Sequence, residues 1–120
     1  MDMNYDQIIL AHSKWKARLK QALQGQEQLD IQVVGKDDQC ELGKWIYGEG
    51  TKHANLSAYN DLKTKHTRFH ACIPTVVNVA RSSSPAKALE LLDPVRGEFG
   101  RASSDCINAI AALKQFLAKA

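Results

Sequence analysis

This chain lacks the features that mark several large classes of protein. No apolar run approaches the ~18 residues of a membrane-spanning helix, so the sequence predicts no transmembrane segment. The first residues are acidic and are not followed by an apolar block, so we predict no secretory signal and expect a cytoplasmic location. Basic and acidic residues are interspersed, and the formal net charge is only +3, which argues against a nucleic-acid partner.

Cysteine is also scarce. The chain has three cysteines, an odd number, at positions 40, 72 and 106. In a reducing compartment, such residues are more often thiols or metal ligands than parts of a disulfide framework. We expect Cys106 to be a small buried side chain, Cys72 to lie beside an apolar stripe without a chemical role, and Cys40 to be the residue with a chemical role.

Apolar residues recur at intervals of three and four, which is the period of an amphipathic helix. These stripes predict one helix from Tyr5 to about Gln24 and another from about Leu56 to Ala80, which Pro74 kinks without ending. A last long helix begins at Ser84-Pro85 and is expected to bend within residues 93–100, where a proline and two glycines lie.

The segment between the first two long helices is harder to interpret. Residues 26–39 contain apolar positions typical of a strand, but the chain offers no second strand to pair with them. We therefore predict a loop carrying one helical turn. Residues 40–47 form a short helix, with Asp37 or Asp38 available as its cap. Cys40 then lies at a helix N-terminus, where the helix dipole favours the thiolate.

With 120 residues, the chain can build one hydrophobic core but not two. We therefore predict that residues 1–120 form a single domain. Helices with one apolar face and short connections predict an all-α fold, an antiparallel four-helix bundle with an extra short helix that carries Cys40.

Three histidines and Cys40 lie where these helices can bring them together. His12 is part of the first apolar stripe, and a buried histidine needs a partner, although taken alone it is more often a hydrogen-bonded core residue. His66 and His70 are one helical turn apart, so both imidazoles can reach one ion, although such a pair alone is a weak signal. Together the four side chains make a complete tetrahedral set for zinc, which predicts a closed structural or regulatory site.

Three motifs follow one another along the chain. They are Ala11-His12-x-x-Trp15-Lys16, Cys40-x-Leu42-Gly43-Lys44-Trp45-Ile46-Tyr47-Gly48-Glu49-Gly50 and His66-x-x-Phe69-His70. In order and spacing, over nearly the whole chain, they resemble the chemoreceptor zinc-binding (CZB) domain family. The resemblance implies that His12, Cys40, His66 and His70 bind Zn²⁺ in a helical bundle that pairs as a homodimer. His53 matches no ligand position and is expected in a solvated loop.

The resemblance also implies a function. Domains of this family are usually attached to a bacterial chemoreceptor or a diguanylate cyclase and are implicated in sensing zinc and, through the zinc-bound cysteine, hypochlorous acid. It implies a regulatory domain rather than an enzyme, one that signals through its dimer or a partner protein of the chemotaxis or diguanylate cyclase pathways. The sequence has no methyl-accepting region and no cyclase domain, so we expect a stand-alone protein.

Two other functions are open at this point. Zinc could be a permanent staple or a stored ion, which would make the chain a structural or zinc-buffering protein. Alternatively, the chain could be an enzyme that uses an open metal site, or one in which Cys40 and a histidine act as nucleophile and base. The second chemistry needs the pair to be free of metal.

Overall fold

Helices account for the regular structure of this protein in a computed structural model, which describes residues 4–25 and 28–119. In chain order, the elements are α1 (Tyr5–Ser13), α2 (Trp15–Leu23), α3 (Ile31–Val34), α4 (Glu41–Tyr47), a 3₁₀ helix (Glu49–His53), α5 (Ser57–Ser82), α6 (Pro85–Glu90) and α7 (Glu98–Lys119). No strand occurs within the described ranges, so the all-α prediction is confirmed. The antiparallel four-helix arrangement stays a prediction, with which these helices are consistent.

The first predicted helix forms as two segments, α1 and α2, that meet at Lys14. The backbone of Lys14 stays in the right-handed helical region, with φ −75° and ψ −14°, so the apolar stripe continues from one segment into the next. The stripe residues that become buried are Ile8, His12, Trp15 and Leu19. His12 is therefore held inside the protein, as predicted.

Only part of the predicted loop over 26–39 can be described, because residues 26 and 27 lie outside the described ranges. Within the rest, α3 is the single helical turn that we expected. Asp30 caps this turn by accepting a hydrogen bond from the backbone N–H of Gln32 at 3.0 Å. This turn packs against α5.

Helix α5 is the centre of the structure and continues through Pro74 to Ser82, as the stripe predicted. It packs against α7, α6, α3 and α2, while α1 packs against α7. Across the α5–α7 contact, the rings of Phe69 and Phe99 lie 5.4 Å apart between centroids. Cys106 is buried in this core, as expected, and Cys72 is buried there too. The packing fixes the position of α5 relative to α1.

The last predicted helix is divided into α6 and α7. Residues 91–97 form turns, and Gly100 allows this loop to lie against the start of α7, because a Cβ at Gly100 would be 2.0 Å from the carbonyl oxygen of Asp93. The bend expected within 93–100 is therefore a break between two helices. No helix within the described residues has the length and apolar character needed to cross a membrane.

Candidate metal centre

The four residues predicted to bind metal converge in the structure. One ligand atom from each of His12, Cys40, His66 and His70 lies within 4.8 Å of the others. They come from α1, from the residue before α4, and from α5. His53 lies outside this group, in the 3₁₀ helix rather than in a loop, and its ring centroid is 6.0 Å from that of Trp45.

Backbone carbonyl groups orient two of the imidazoles. Nδ1 of His12 lies 2.8 Å from the carbonyl oxygen of Ile8, and Nδ1 of His70 lies 2.8 Å from that of Val34. Because a carbonyl oxygen only accepts, each Nδ1 carries the proton and each Nε2 keeps a lone pair. This arrangement is the usual outer support of a metal-binding histidine.

One of these lone pairs has no partner in the protein. Nε2 of His12 is buried and makes no hydrogen bond. An unpaired buried polar atom costs about 1–3 kcal/mol, so native proteins rarely leave one without a purpose. A metal ion in the centre of the cluster would satisfy this atom.

The sulfur of Cys40 is close to both histidines of α5. Its Sγ lies 3.2 Å from Nε2 of His66 and 3.5 Å from Nε2 of His70. Zinc bonds of ~2.0–2.3 Å in a tetrahedron place neighbouring ligand atoms roughly 3.3–3.8 Å apart. The two distances from the sulfur lie in or close to this range, and the donor set of three nitrogens and one sulfur is one that zinc takes.

Cys40 also caps its own helix. Its Sγ accepts a hydrogen bond from the backbone N–H of Gly43 at 3.3 Å, so the prediction of Asp37 or Asp38 as the cap is wrong. Gly43 is required here, because a Cβ on it would lie 1.8 Å from the backbone oxygen of Asp37. The glycine of the cysteine motif therefore lets the chain close tightly around the sulfur.

Burial favours the uncharged forms of the four candidate ligand side chains. Burial, assisted by the neighbouring His70 and His12, lowers the pKa of His66 to about 3. Burial also lowers the pKa values of His12 and His70, although their hydrogen bonds to carbonyl groups oppose it. Neutral imidazoles are the form that binds metal, so the histidines are ready for an ion at neutral pH.

The thiol of Cys40 behaves differently from our expectation. Burial raises the pKa of Cys40 by more than the backbone N–H groups of Gly43 and Leu42 lower it. Without metal, Cys40 is therefore held as a thiol, and the thiolate expected from the helix dipole is not favoured. Metal binding must displace this proton, which makes affinity depend on pH.

The four side chains differ in exposure. The histidines are almost fully buried, with exposed fractions of 3% for His12, 0% for His66 and 2% for His70. Cys40 is only partly buried. A reagent from solvent therefore reaches the sulfur more easily than the imidazoles.

Sequence reasoning missed the groups that surround the ligands. Ile8 and Val34 contribute backbone carbonyl groups, which a pattern of side chains does not reveal. Asp37 accepts hydrogen bonds from the hydroxyl groups of Thr67, at 2.5 Å, and Tyr47. The only signal for these residues was their position, since Asp37 precedes the cysteine motif, Tyr47 lies within it and Thr67 follows His66.

The comparison with known families agrees with this site. The family model described as Chemoreceptor zinc-binding domain matches residues 12–77, which is more than half of the chain. This span starts at His12 and includes Cys40, His66 and His70. It ends within α5, so α6 and α7 lie outside it. No curated protein and no solved structure matches the chain.

Proposed function

This chain belongs to the chemoreceptor zinc-binding (CZB) domain family and has Zn²⁺ as its cofactor, and we propose that it is a non-enzymatic sensor that detects zinc or hypochlorous acid through Cys40. We assign His12, Cys40, His66 and His70 as the zinc ligands. Four protein ligands leave no open position for a reacting water, which supports regulation rather than hydrolysis. The observation that carries the sensing proposal is that Cys40 is the most exposed of the four.

The chemistry follows from the state of the sulfur. Bound zinc keeps Cys40 as the thiolate, which is the form that reacts with oxidants. In the net reaction, the thiolate and hypochlorous acid give the sulfenic acid of Cys40 and chloride, so sulfur loses two electrons and chlorine gains them. The sulfenic acid is a weaker ligand than the thiolate, and Cys40 leaves the cluster.

Departure of Cys40 also affects α4. The sulfur is the cap of this helix, so its movement removes the hydrogen bond from the N–H of Gly43. Trp45 and Tyr47 of α4 are partly exposed, and displacement of the helix changes the surface that they form. We propose that a second copy of the chain, or a cytoplasmic signalling protein of the chemoreceptor or diguanylate cyclase pathways, responds to this change. Nucleic acid and membrane have no part in the proposal.

The test measures zinc content before and after a short pulse of hypochlorous acid. The double variant Cys72→Ala/Cys106→Ala leaves Cys40 as the only thiol in the chain. We expect one zinc per chain in this variant, loss of zinc after the pulse, and faster amide hydrogen exchange over residues 40–50. Adding Cys40→Ala should abolish the response to the pulse. Unchanged zinc content and unchanged exchange would refute sensing through Cys40.

The depth of the three histidines supports a second candidate, in which zinc is a permanent staple or a buffered store. Removal of three buried imidazoles from zinc requires the core to open, which would make release slow. In this case, zinc would stay bound through the pulse. The affinity of the protein for zinc would also be far higher than is needed to bind zinc at its free cytoplasmic concentration. The same experiment therefore separates the two functions.

A further inference from the structure

One carboxylate oxygen beside the metal centre joins three parts of the chain. Oδ2 of Asp37 accepts a hydrogen bond from Oγ1 of Thr67 at 2.5 Å and another from the hydroxyl of Tyr47. Asp37 lies three residues before Cys40, Tyr47 ends α4, and Thr67 directly follows His66 in α5. The contact therefore ties both sides of the cysteine helix to the helix that carries two ligand histidines.

We propose that Asp37, Tyr47 and Thr67 form a latch that positions Cys40 against His66 and His70 and sets how readily the sulfur leaves the metal. The inference rests on the zinc-binding part of the proposed function and is independent of any response to oxidant. The three latch residues do not belong to the group of ligand atoms, so they are positioning residues.

The shortness of α4 explains why such a latch is needed. The helix has seven residues, well below the ~12–15 that a helix needs to be stable alone, so its position depends on tertiary contacts. On its inner side, Leu42 and Ile46 are buried, and the hydroxyl of Tyr59 donates to the carbonyl oxygen of Ile46 at 2.5 Å. On its outer side, the hydrogen bonds of Asp37 with Tyr47 and Thr67 connect α4 to α5.

The charge of Asp37 supports the same role. Burial raises the pKa of this carboxyl, but the hydrogen bonds from Thr67 and Tyr47, together with the nearby His66, hold it below its ordinary value. The carboxylate is therefore ionised at neutral pH and accepts from both hydroxyl groups at once. Hydrogen bonds to a charged acceptor are stronger than those between neutral groups.

Two residues close to the latch in sequence, Asp38 and Thr64, make local hydrogen bonds. Asp38, the neighbouring carboxylate, accepts a hydrogen bond from the side chain of Gln39 at 3.0 Å. Thr64, one turn before Thr67, donates to the carbonyl oxygen of Asn60 in its own helix at 3.1 Å. Asp38 and Thr64 therefore offer matched controls, because each is chemically similar to a latch residue and its hydrogen bond given above stays within its own segment.

The experiment follows transfer of zinc from the loaded 120-residue chain to a chromogenic chelator, without oxidant. Thr67→Val and Tyr47→Phe each remove one hydroxyl, and we expect zinc to leave about threefold to tenfold faster, as for loss of one hydrogen bond. Thr67→Ser keeps the hydroxyl and should release zinc at the wild-type rate. The controls Asp38→Asn and Thr64→Val should also match the wild type.

A second measurement distinguishes positioning from a general loss of stability. In the cobalt-substituted protein, the absorption band for charge transfer from thiolate to metal reports the Cys40 contact, while the ligand-field bands report the whole site. We expect Thr67→Val and Tyr47→Phe to weaken the first band and to keep the folded helical content. Unchanged release rates and an unchanged charge-transfer band in both variants would overturn the latch. If zinc transfer is faster in Thr67→Val and Tyr47→Phe while hypochlorous acid releases no zinc from the wild type, the latch is supported and oxidant sensing is refuted.

Discussion

Nδ1 of His70 lies 2.8 Å from the backbone carbonyl oxygen of Val34. This contact joins α5 to α3, the single helical turn in a segment that otherwise connects helices. Gly35 follows Val34, and a Cβ on Gly35 would lie 2.7 Å from Cγ of Pro74. The close approach of Gly35 and Pro74 therefore sets the distance between α3 and α5. It also sets the position of the carbonyl group that orients His70.

Replacement of Gly35 tests this relationship. In Gly35→Ala, the added methyl group should push α3 away from Pro74, so that the carbonyl of Val34 supports His70 less well. We expect zinc affinity to fall about tenfold, the lower end of the effect for outer groups of a metal site, as measured by competition with a chelator. Gln32→Ala, in the exposed part of α3, should bind zinc like the wild type. Recovery in Gly35→Ala/Pro74→Ala would identify the ring as the cause, and no loss in Gly35→Ala alone would contradict this account.

Gly43 is expected to tolerate substitution even less. A methyl group in Gly43→Ala would meet the backbone oxygen of Asp37, which cannot rotate away as a side chain could. We expect the free energy of unfolding of the metal-free protein to fall by about 2–4 kcal/mol in urea titrations, a value typical of overpacking at a strained position. Lys44→Ala, at the exposed neighbouring position, should change it little. Equal stability of the two variants would show that residues 37–43 adjust more easily than the structure indicates.

Removal of zinc should lower thermal stability. Zinc at 100 times its dissociation constant stabilises the folded chain by about 2.7 kcal/mol, so we expect chelation to lower the melting temperature by roughly 10 °C in calorimetry. His12→Ala should reduce this zinc-dependent shift, because it removes the ligand whose Nε2 is buried without a partner. His53→Ala should keep the full shift. A shift that survives in His12→Ala would exclude this residue from the ligand set.

The metal-free protein should lose stability as the pH falls. In the folded chain, burial and the neighbouring His70 and His12 lower the pKa of His66 from 6.5 to about 3. The unfolded chain binds a proton near pH 6.5 that the folded chain does not bind, so this contribution is complete above pH 6.5 and is lost as the pH falls toward about 3. We expect the free energy of unfolding to decrease between about pH 6.5 and pH 5, by at most ~1.4 kcal/mol per pH unit for one such group. A shallower dependence of the free energy of unfolding on pH in His66→Gln would assign the effect to this residue. The same dependence in both proteins would show that His66 is not its source.

Much of the helical structure could be read from the chain because the apolar stripes repeat over several turns. The stripe that contains His66 and Phe69 was strong enough to predict a continuous helix through Pro74. The division of the last helix was harder to predict, since it depends on the carbonyl of Asp93 packing against Gly100. In the same way, Asp37 looked like a helix cap, and only the position of α5 makes it a partner of Thr67.

The identity of the donor atoms and the helical faces that carry them follow from the amino-acid sequence, because the period of a helix places His66 and His70 side by side whatever surrounds them. The orientation and protonation of those atoms depend on the tertiary structure. His70 is oriented by a carbonyl group 36 residues away, and Asp37 is held by a hydroxyl group 30 residues away. Contacts over such separations arise only when packing brings the segments together, and the burial that lowers the pKa of His66 arises with them.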